Sequence, residues 1–493
     1  MRTSVRIAIA AAIAAGAVAG PSFAWAPTDT PAFKLYVAGG SAQGGAFLAF
    51  AQKLMANDGH LDVYTDDTTC AAQGANYRAV FGTWAATTGG IPAGSKVYIA
   101  YANNGGTFKN GINAIARATQ VDYQVFLNNA SNTGCAAAGT GVPSPFTAAA
   151  NYHVSTAATT ENQVPDVGFS DEEMALFTGD NLPTAAPNSP LTQADFNNTK
   201  RSQIYENVFG VAINSVLATQ MQSTFGNVNL TTAQISAIYS GNYSDWSQIC
   251  QLNGAGATVC LPAGGIALIS RSPGSGSKAA WNEYFLNNPG TAGFKGNKVS
   301  PVDQLGSFGD CTNFSGNSVC AQSSNGNVKK ALNTANTAGN RALGILGMEF
   351  QPTASDHFQF AALDGVTVAG VTSKTCGNTF ANAFEPARVV NGEHKLFYTN
   401  SLNTRIVSLP GRLPNGTLIS PTVNEPFLGD GTIHSDFINA FSTAASNPVV
   451  EVSVPGVLLD PDVVGPPSGQ PYDACITSGT HHTDSTEPLQ LQF

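Results

Sequence analysis

The sequence predicts an α/β fold. Three stretches carry that prediction by repeating one arrangement: an apolar run, a glycine- or serine-rich turn, then apolar residues at helical spacing. Phe33–Ala38 leads through Gly39–Gly45 into Ala46–Asn57, where Phe47, Phe50 and Leu54 share a face. Lys96–Tyr101 leads through Ala102–Thr107 into a helix carrying Ile112 and Ile115. Gly265–Ser270 leads through Arg271–Ser277 into a helix whose Trp281, Tyr284 and Phe285 face inward.

The chain opens with Met1-Arg2-Thr-Ser-Val-Arg6, a short apolar run to Gly20 and the small-x-small site Ser22-Phe23-Ala24. A basic start, a short apolar stretch and such a site predict a signal peptide over 1–24. No cysteine follows the cut, so the expected product is periplasmic or secreted and not a lipoprotein. No later run reaches the ~18 apolar residues of a membrane helix. A net charge of −10 argues against nucleic acid and anionic membranes as partners. The length suits two or three domains.

Eight cysteines, Cys70, Cys135, Cys250, Cys260, Cys311, Cys320, Cys376 and Cys475, suggest disulfides in an exported chain. Cys250/Cys260 and Cys311/Cys320 would each close a short loop. Cys70/Cys135 and Cys376/Cys475 are then the economical remaining pairs, among about 105 connectivities that eight cysteines allow.

The remaining elements follow in order. Asn57–Gly94 is irregular and reads as an insertion. Tyr123–Phe126 reads as a strand before an Ala/Thr/Asn-rich connection. Pro165–Asp171 is a short apolar strand ending at an acid, and Asp171 would equally serve as N-cap of a helix through Met174 and Leu176. Val208–Asn214 reads as a buried strand. Asn229–Gly241 has a Thr231/Gln234 capping-box pattern with apolar residues at i, i+3 and i+4. Val328–Ala335 reads as a helix, Gly339–Gly347 as a turn into a strand and Phe358–Val366 as a strand and turn. Beyond Cys376 the chain is rich in Pro and Gly, with extended apolar pieces such as Pro448–Val454.

Arg271–Ser277 carries the most chemistry. Glycine permits close backbone approach, and the first N–H groups of a helix point outward with the positive end of its dipole. With three serine hydroxyls and the two-pronged guanidinium of Arg271, the turn forms a candidate oxyanion cradle. The alternative is a plain capped turn with Arg271 at the surface or in an ion pair.

Several segments, in this order along the chain, resemble the periplasmic phosphate-binding proteins of ABC importers, of the type 2 periplasmic-binding-protein superfamily. The Gly39–Gly45 turn sits where that family has G-A-G-A-T-F, and Val167–Asp171 resembles its F-G-x-S-D piece. Leu230, Thr231, Gln234, Ile235, Ile238, Tyr239, Ser240, Gly241 and Trp246 fit its L-T-x-x-Q-I-x-x-I-F-S-G-x-x-x-x-W segment. Arg271–Ser277 looks like its R-x-D-G-S-G-T loop, and Gly339–Gly347 resembles its G-x-I-G-Y strand. The resemblance spans roughly Lys34 to Gly370.

It implies two α/β lobes joined by two crossovers, with insertions and a C-terminal extension. The first lobe would begin over 25–207, the second would cover 208–346, 347–375 would return, and 376–493 would complete the first lobe and add the extension. Arg271, Ser275, Gly276 and Ser277 would donate from the second lobe. Asp171 would accept a hydrogen bond from a protonated phosphate oxygen, which suits monohydrogen phosphate and repels sulfate. Asn103 aligns with a ligand-binding serine, and Ser41 or Gln43 would substitute for donors of the first turn. Pro273 departs from the family's pattern: it stands where the family has an aspartate that orients the arginine.

The function expected is capture of a small oxyanion, inorganic phosphate first, by a monomeric binding protein that serves an ABC permease and needs no cofactor or metal. One alternative is a secreted surface or interaction protein that reuses the fold. A further one is a weak phosphatase-like hydrolase, although the sequence has neither a Gly-x-Ser-x-Gly elbow nor a Gly-Lys-Ser/Thr loop nor a His-x-x-x-His pair. Asn103 and Ser41 also have plain turn-forming readings, and Trp246 a core-packing one.

Overall fold

A computed structural model of the chain describes residues 29–68, 75–134, 150–156, 158–183, 188–289, 299, 318–367, 389–405, 431–480 and 490–491. The signal-peptide segment and Cys70, Cys135, Cys311 and Cys376 lie outside the described residues.

The fold is α/β, in two lobes built on one continuous hydrogen-bonded sheet. In the first lobe, Phe33–Ala38 lies between Lys96–Ala102 and Val167–Ser170, parallel to both. Tyr77–Thr83 adds antiparallel to Lys96–Ala102, and Leu61–Thr65 adds antiparallel to it in turn. The 57–94 segment is therefore part of the sheet, not an irregular insertion. Its strands are short, and the polar stretch around Asp66 and Asp67 interrupts the alternation that would have revealed them.

In the second lobe, Ala267–Arg271 is the central strand, parallel to Ser318–Gln322 on one side and Ala342–Gly347 on the other. Helix Thr232–Tyr239 carries the expected capping box between Thr231 and Gln234, and Trp246 is buried in the core beside it. Helices Gly276–Leu286 and Asn325–Thr337 follow their strands directly. Parallel strands followed by helices put their carboxyl ends, and the helix N-termini, at one crevice.

Two crossovers join the lobes. The long strand Thr199–Asn214 pairs with Phe397–Arg405 along its first part and with Ala342–Gly347 along its last. The return strand Phe397–Arg405 also pairs with Val167–Ser170 of the first lobe. A register shift between Gln203 and Glu206 marks where the long strand passes from one lobe to the other.

The C-terminal segment packs on both lobes. Phe437, Phe441, Val450 and Val457 join the first-lobe core around Phe47 and Phe50. Val452, Leu458, Leu459 and Cys475 join the second-lobe core around Val208 and Leu346. Its strand Val457–Leu459 pairs with Tyr205–Asn207 at the crossover itself. Pro448–Val454 is not extended: Asn447 caps a short helix, Pro448–Glu451, with proline at its first turn, where a missing N–H costs nothing.

Cys250 and Cys260 form a disulfide, and Cys320 is disulfide-bonded. Cys475 is a free, buried thiol, so the Cys376/Cys475 pairing is corrected. Packed among Leu458, Leu459 and Ile476, it behaves as a small apolar residue.

Candidate functional site

The candidate residues meet where the carboxyl ends of the parallel strands of both lobes face one another. Arg271 ends the central strand of the second lobe and is almost wholly buried, 2 % exposed. Its Nε donates to the Gln322 carbonyl at 3.2 Å. One terminal nitrogen donates to Ser277 Oγ at 3.2 Å and also to Asn325 Oδ1. The other reaches the Ser323 carbonyl at 3.2 Å and, across the crevice, Ser41 Oγ at 3.4 Å. Burial pulls the guanidinium down to about 10, which leaves it charged at neutral pH, with Asp171 and Glu349 acting to hold it up.

The first lobe contributes Ser41, Gln43, Thr107 and Asp171. Ser41 Oγ also accepts the backbone N–H of Asn325 at 3.2 Å, so one hydroxyl ties two second-lobe groups. Gln43 is fully buried; its Oε1 accepts the Gly40 amide at 2.9 Å and its Nε2 donates to Asn400 Oδ1 at 3.0 Å.

Asp171 is not a helix cap. The following 3-10 turn, Met174–Leu176, starts from Glu173, and Asp171 turns inward to accept Thr107 Oγ1 at 2.6 Å. Burial raises the Asp171 carboxyl above the usual range, opposed by the Thr107 hydrogen bond and by Arg271.

Gly276 opens its helix with Ser275 as the N-cap. Its N–H donates to Thr107 Oγ1 at 3.2 Å. A Cβ at Gly276 would overlap the Asp171 carboxylate, and one at Gly40 would overlap Thr107 Oγ1. Here glycine is required for close approach and not for a special φ. The loop is anchored from the other lobe as well, by Phe108 N–H to Gly274 O at 2.9 Å and Gly274 N–H to Asn181 O at 2.8 Å.

Of the residues expected from the sequence, Arg271, Gly276, Ser277, Asp171, Ser41 and Gln43 lie in this constellation. Ser275 contributes by capping the helix, its hydroxyl accepting Lys278 N–H at 3.4 Å. Asn103 is directed elsewhere and donates to the Ala75 carbonyl at 3.1 Å. Three participants escaped sequence reasoning: Thr107, Asn325 and Glu349. Asn325 Nδ2 donates to Glu349 Oε1 at 3.1 Å, and burial pushes the Glu349 carboxyl up to about 8. The available signals were slight: a hydroxyl after Gly105-Gly106, a polar helix start at Ser324-Asn325 and one acid after an apolar strand.

Chemically, the site offers a guanidinium, hydroxyls and a helix N–H beside an acceptor carboxylate, with no His/Cys/Asp/Glu cluster among the described residues able to hold a metal ion. That set suits recognition of a compact polar group that both accepts and donates hydrogen bonds. No helix among the described residues is long and apolar enough to cross a membrane.

No curated protein matches the sequence. Among solved structures, the chain is similar to a Clostridium perfringens protein assigned as a phosphate ABC transporter substrate-binding protein and solved with phosphate, at 13% identity and TM-score 0.35, covering 76% of this chain and 86% of that one. It is also similar to PfluDING, a high-affinity periplasmic phosphate-binding protein bound with phosphate, at 9% identity and TM-score 0.36, covering 85% and 89%. A third is an ABC-type phosphate transport receptor from Vibrio cholerae, at 13% identity and TM-score 0.29, covering 57% and 74%. The family model described as PBP superfamily domain matches residues 127–391, more than half of the chain. On that match, the chain belongs to the PBP superfamily.

Proposed function

We propose that this chain is an exported solute-binding protein that captures a small oxyanion, with inorganic phosphate the favoured ligand, and presents it to an ABC importer. The observation that carries the reading is the meeting of Arg271, Ser277 and the Gly276 N–H with Ser41 and Asp171 across one crevice. Two lobes closing over an anion would replace its water with these donors. The ligand's preference for the closed form would drive closure. Asp171 accepts hydrogen bonds when ionised, so it would favour an anion that still carries a proton. The lobes are assigned to 25–207 and 208–346, with 347–375 returning and 376–493 completing the first lobe and extending it, behind a cleaved leader over 1–24. The site acts as a binder and not as a catalyst.

A second reading is a secreted interaction protein on the same scaffold. It is favoured by the saturation of the crevice by the chain's own groups: Thr107 takes the Gly276 N–H, and Ser41 takes Arg271 and the Asn325 N–H.

Calorimetry on residues 25–493 with phosphate, sulfate and a phosphate monoester separates the readings. Phosphate heat that disappears in Arg271→Ala is the expected result. Absence of heat with every anion overturns transport in favour of the scaffold, and a phosphate signal that survives Arg271→Ala overturns the site. Monoester turnover that vanishes in Asp171→Asn would establish the hydrolase instead.

A further inference from the structure

Arg271 lacks the acid that its loop would be expected to supply, because position 273 is proline. Its side-chain partners are nonetheless well defined, and they are neutral: Ser277, Ser41 and the Asn325 amide oxygen. Arginine only donates, so it selects the oxygen end of that amide. The other end donates to Glu349 Oε1, at 3.1 Å. Arg271, Asn325 and Glu349 thus form a chain across three strand ends, 271, 322 and 347.

We propose that Glu349, acting through Asn325, is the positioning residue that holds the Arg271 guanidinium in the crevice, in place of an acid at 273. This rests on the oxyanion reading of the site. An amide next to Arg271 orients the guanidinium without neutralising it, so its positive charge stays available to an anion. Glu349 prevents the amide from flipping, since a flipped Asn325 would turn its NH2 group against Arg271. The Glu349 carboxyl is buried, which is costly for the ionised form.

The relay has a pH signature. The titratable groups facing Glu349 are Asp171, Arg271 and Tyr205. Burial dominates and lifts Glu349 to about 8; its own backbone N–H, Asn325 and Arg271 oppose the rise, and Asp171 adds to it. Below that value the relay is neutral at Glu349. Above it, a second negative charge stands behind Arg271, and an incoming anion is repelled. Phosphate affinity therefore falls as pH rises from 7 to 9, a range in which monohydrogen phosphate remains abundant and Arg271 stays mostly charged.

The test compares wild type, Glu349→Gln and Glu349→Leu by phosphate calorimetry at pH 7 and 9. It adds the 15N spectrum of the Arg271 side chain, assigned by its loss in Arg271→Lys. Glu349→Gln keeps the acceptor for Asn325 but does not titrate, so it should match wild type at pH 7 and hold its affinity to pH 9. Glu349→Leu should lose at least about tenfold relative to wild type at pH 7, the scale of one charge-assisted contact, and its guanidinium signal should shift and broaden as the contact to Asn325 loosens. Glu349→Leu with wild-type affinity at pH 7 overturns the relay. So do identical Arg271 signals in all three proteins, a readout that stands even if wild type binds no phosphate and the oxyanion reading fails by itself.

Discussion

Thr107 places its hydroxyl against Asp171 Oδ1 at 2.6 Å and accepts the Gly276 amide with the same oxygen at 3.2 Å. A protonated phosphate oxygen would do both things: donate to the carboxylate and accept from the helix N-terminus. The hydroxyl bridges the two lobes, and on the proposed oxyanion reading it would be an internal stand-in for a ligand atom.

Replacing it with an isosteric apolar group tests that role. Thr107→Val leaves a buried amide and a buried carboxyl without their partner, so the ligand-free protein should lose about 1–3 kcal/mol. Phosphate should restore more stability to the variant than to wild type, because the ligand no longer competes with Thr107. Urea midpoints with and without phosphate measure both effects. A variant that phosphate stabilises less than wild type would show that Thr107 assists binding.

Gly276→Ala introduces a methyl group into the space held by the Asp171 carboxylate. Overpacking of this kind costs about 1–3 kcal/mol. The partner to truncate is Asp171, so the double variant Gly276→Ala/Asp171→Ala should cost less than the sum of the singles. Thermal denaturation of the four proteins closes the cycle, and simple additivity would mean that the two residues are not in contact.

His394 gives a second pH dependence, away from the crevice. Its Nε2 bonds the Phe209 carbonyl of the long strand at 2.9 Å, and burial lowers its pKa to about 4. The native state keeps the ring neutral while the unfolded chain takes up a proton near the usual value of about 6.5. Stability from this group is full above that value and is lost as pH falls from about 6.5 to about 4. In His394→Gln the acid limb of the stability curve should flatten over that interval. An unchanged slope would place the acid sensitivity elsewhere.

The Cys475 thiol is buried in the second-lobe core. Alkylation followed by peptide mass mapping should leave it unmodified in the native protein and modify it in denaturant. Modification under native conditions would mean that the C-terminal segment detaches readily.

The strand–turn–helix units were legible because each pairs an apolar run with glycine and then a helical face. The cap at Thr231 was legible because its chemistry is local. The crevice was legible only where a single loop held the chemistry, as at Arg271–Ser277. Asn325 and Glu349 lie 54 and 78 positions beyond Arg271, and only the parallel order of three strands brings them beside it. Asp171 had two readings from sequence, and choosing between them needed the position of Thr107 from another strand end. Pro448–Val454 misled because its β-branched valines suggest a strand, while Asn447 and Pro448 start a helix.

The Val457–Leu459 strand is laminated onto Tyr205–Asn207, next to the register shift of the crossover that joins the lobes. Were that crossover the hinge of the proposed closure, such backing would stiffen it as a leaf spring does, through residues away from the crevice. Apparent affinity scales with the fraction of molecules in the binding-competent form. On the proposed oxyanion-binding reading, the Val457–Leu459 strand would then be a tuning element: altering its grip on the crossover would reset affinity while leaving the crevice residues unchanged.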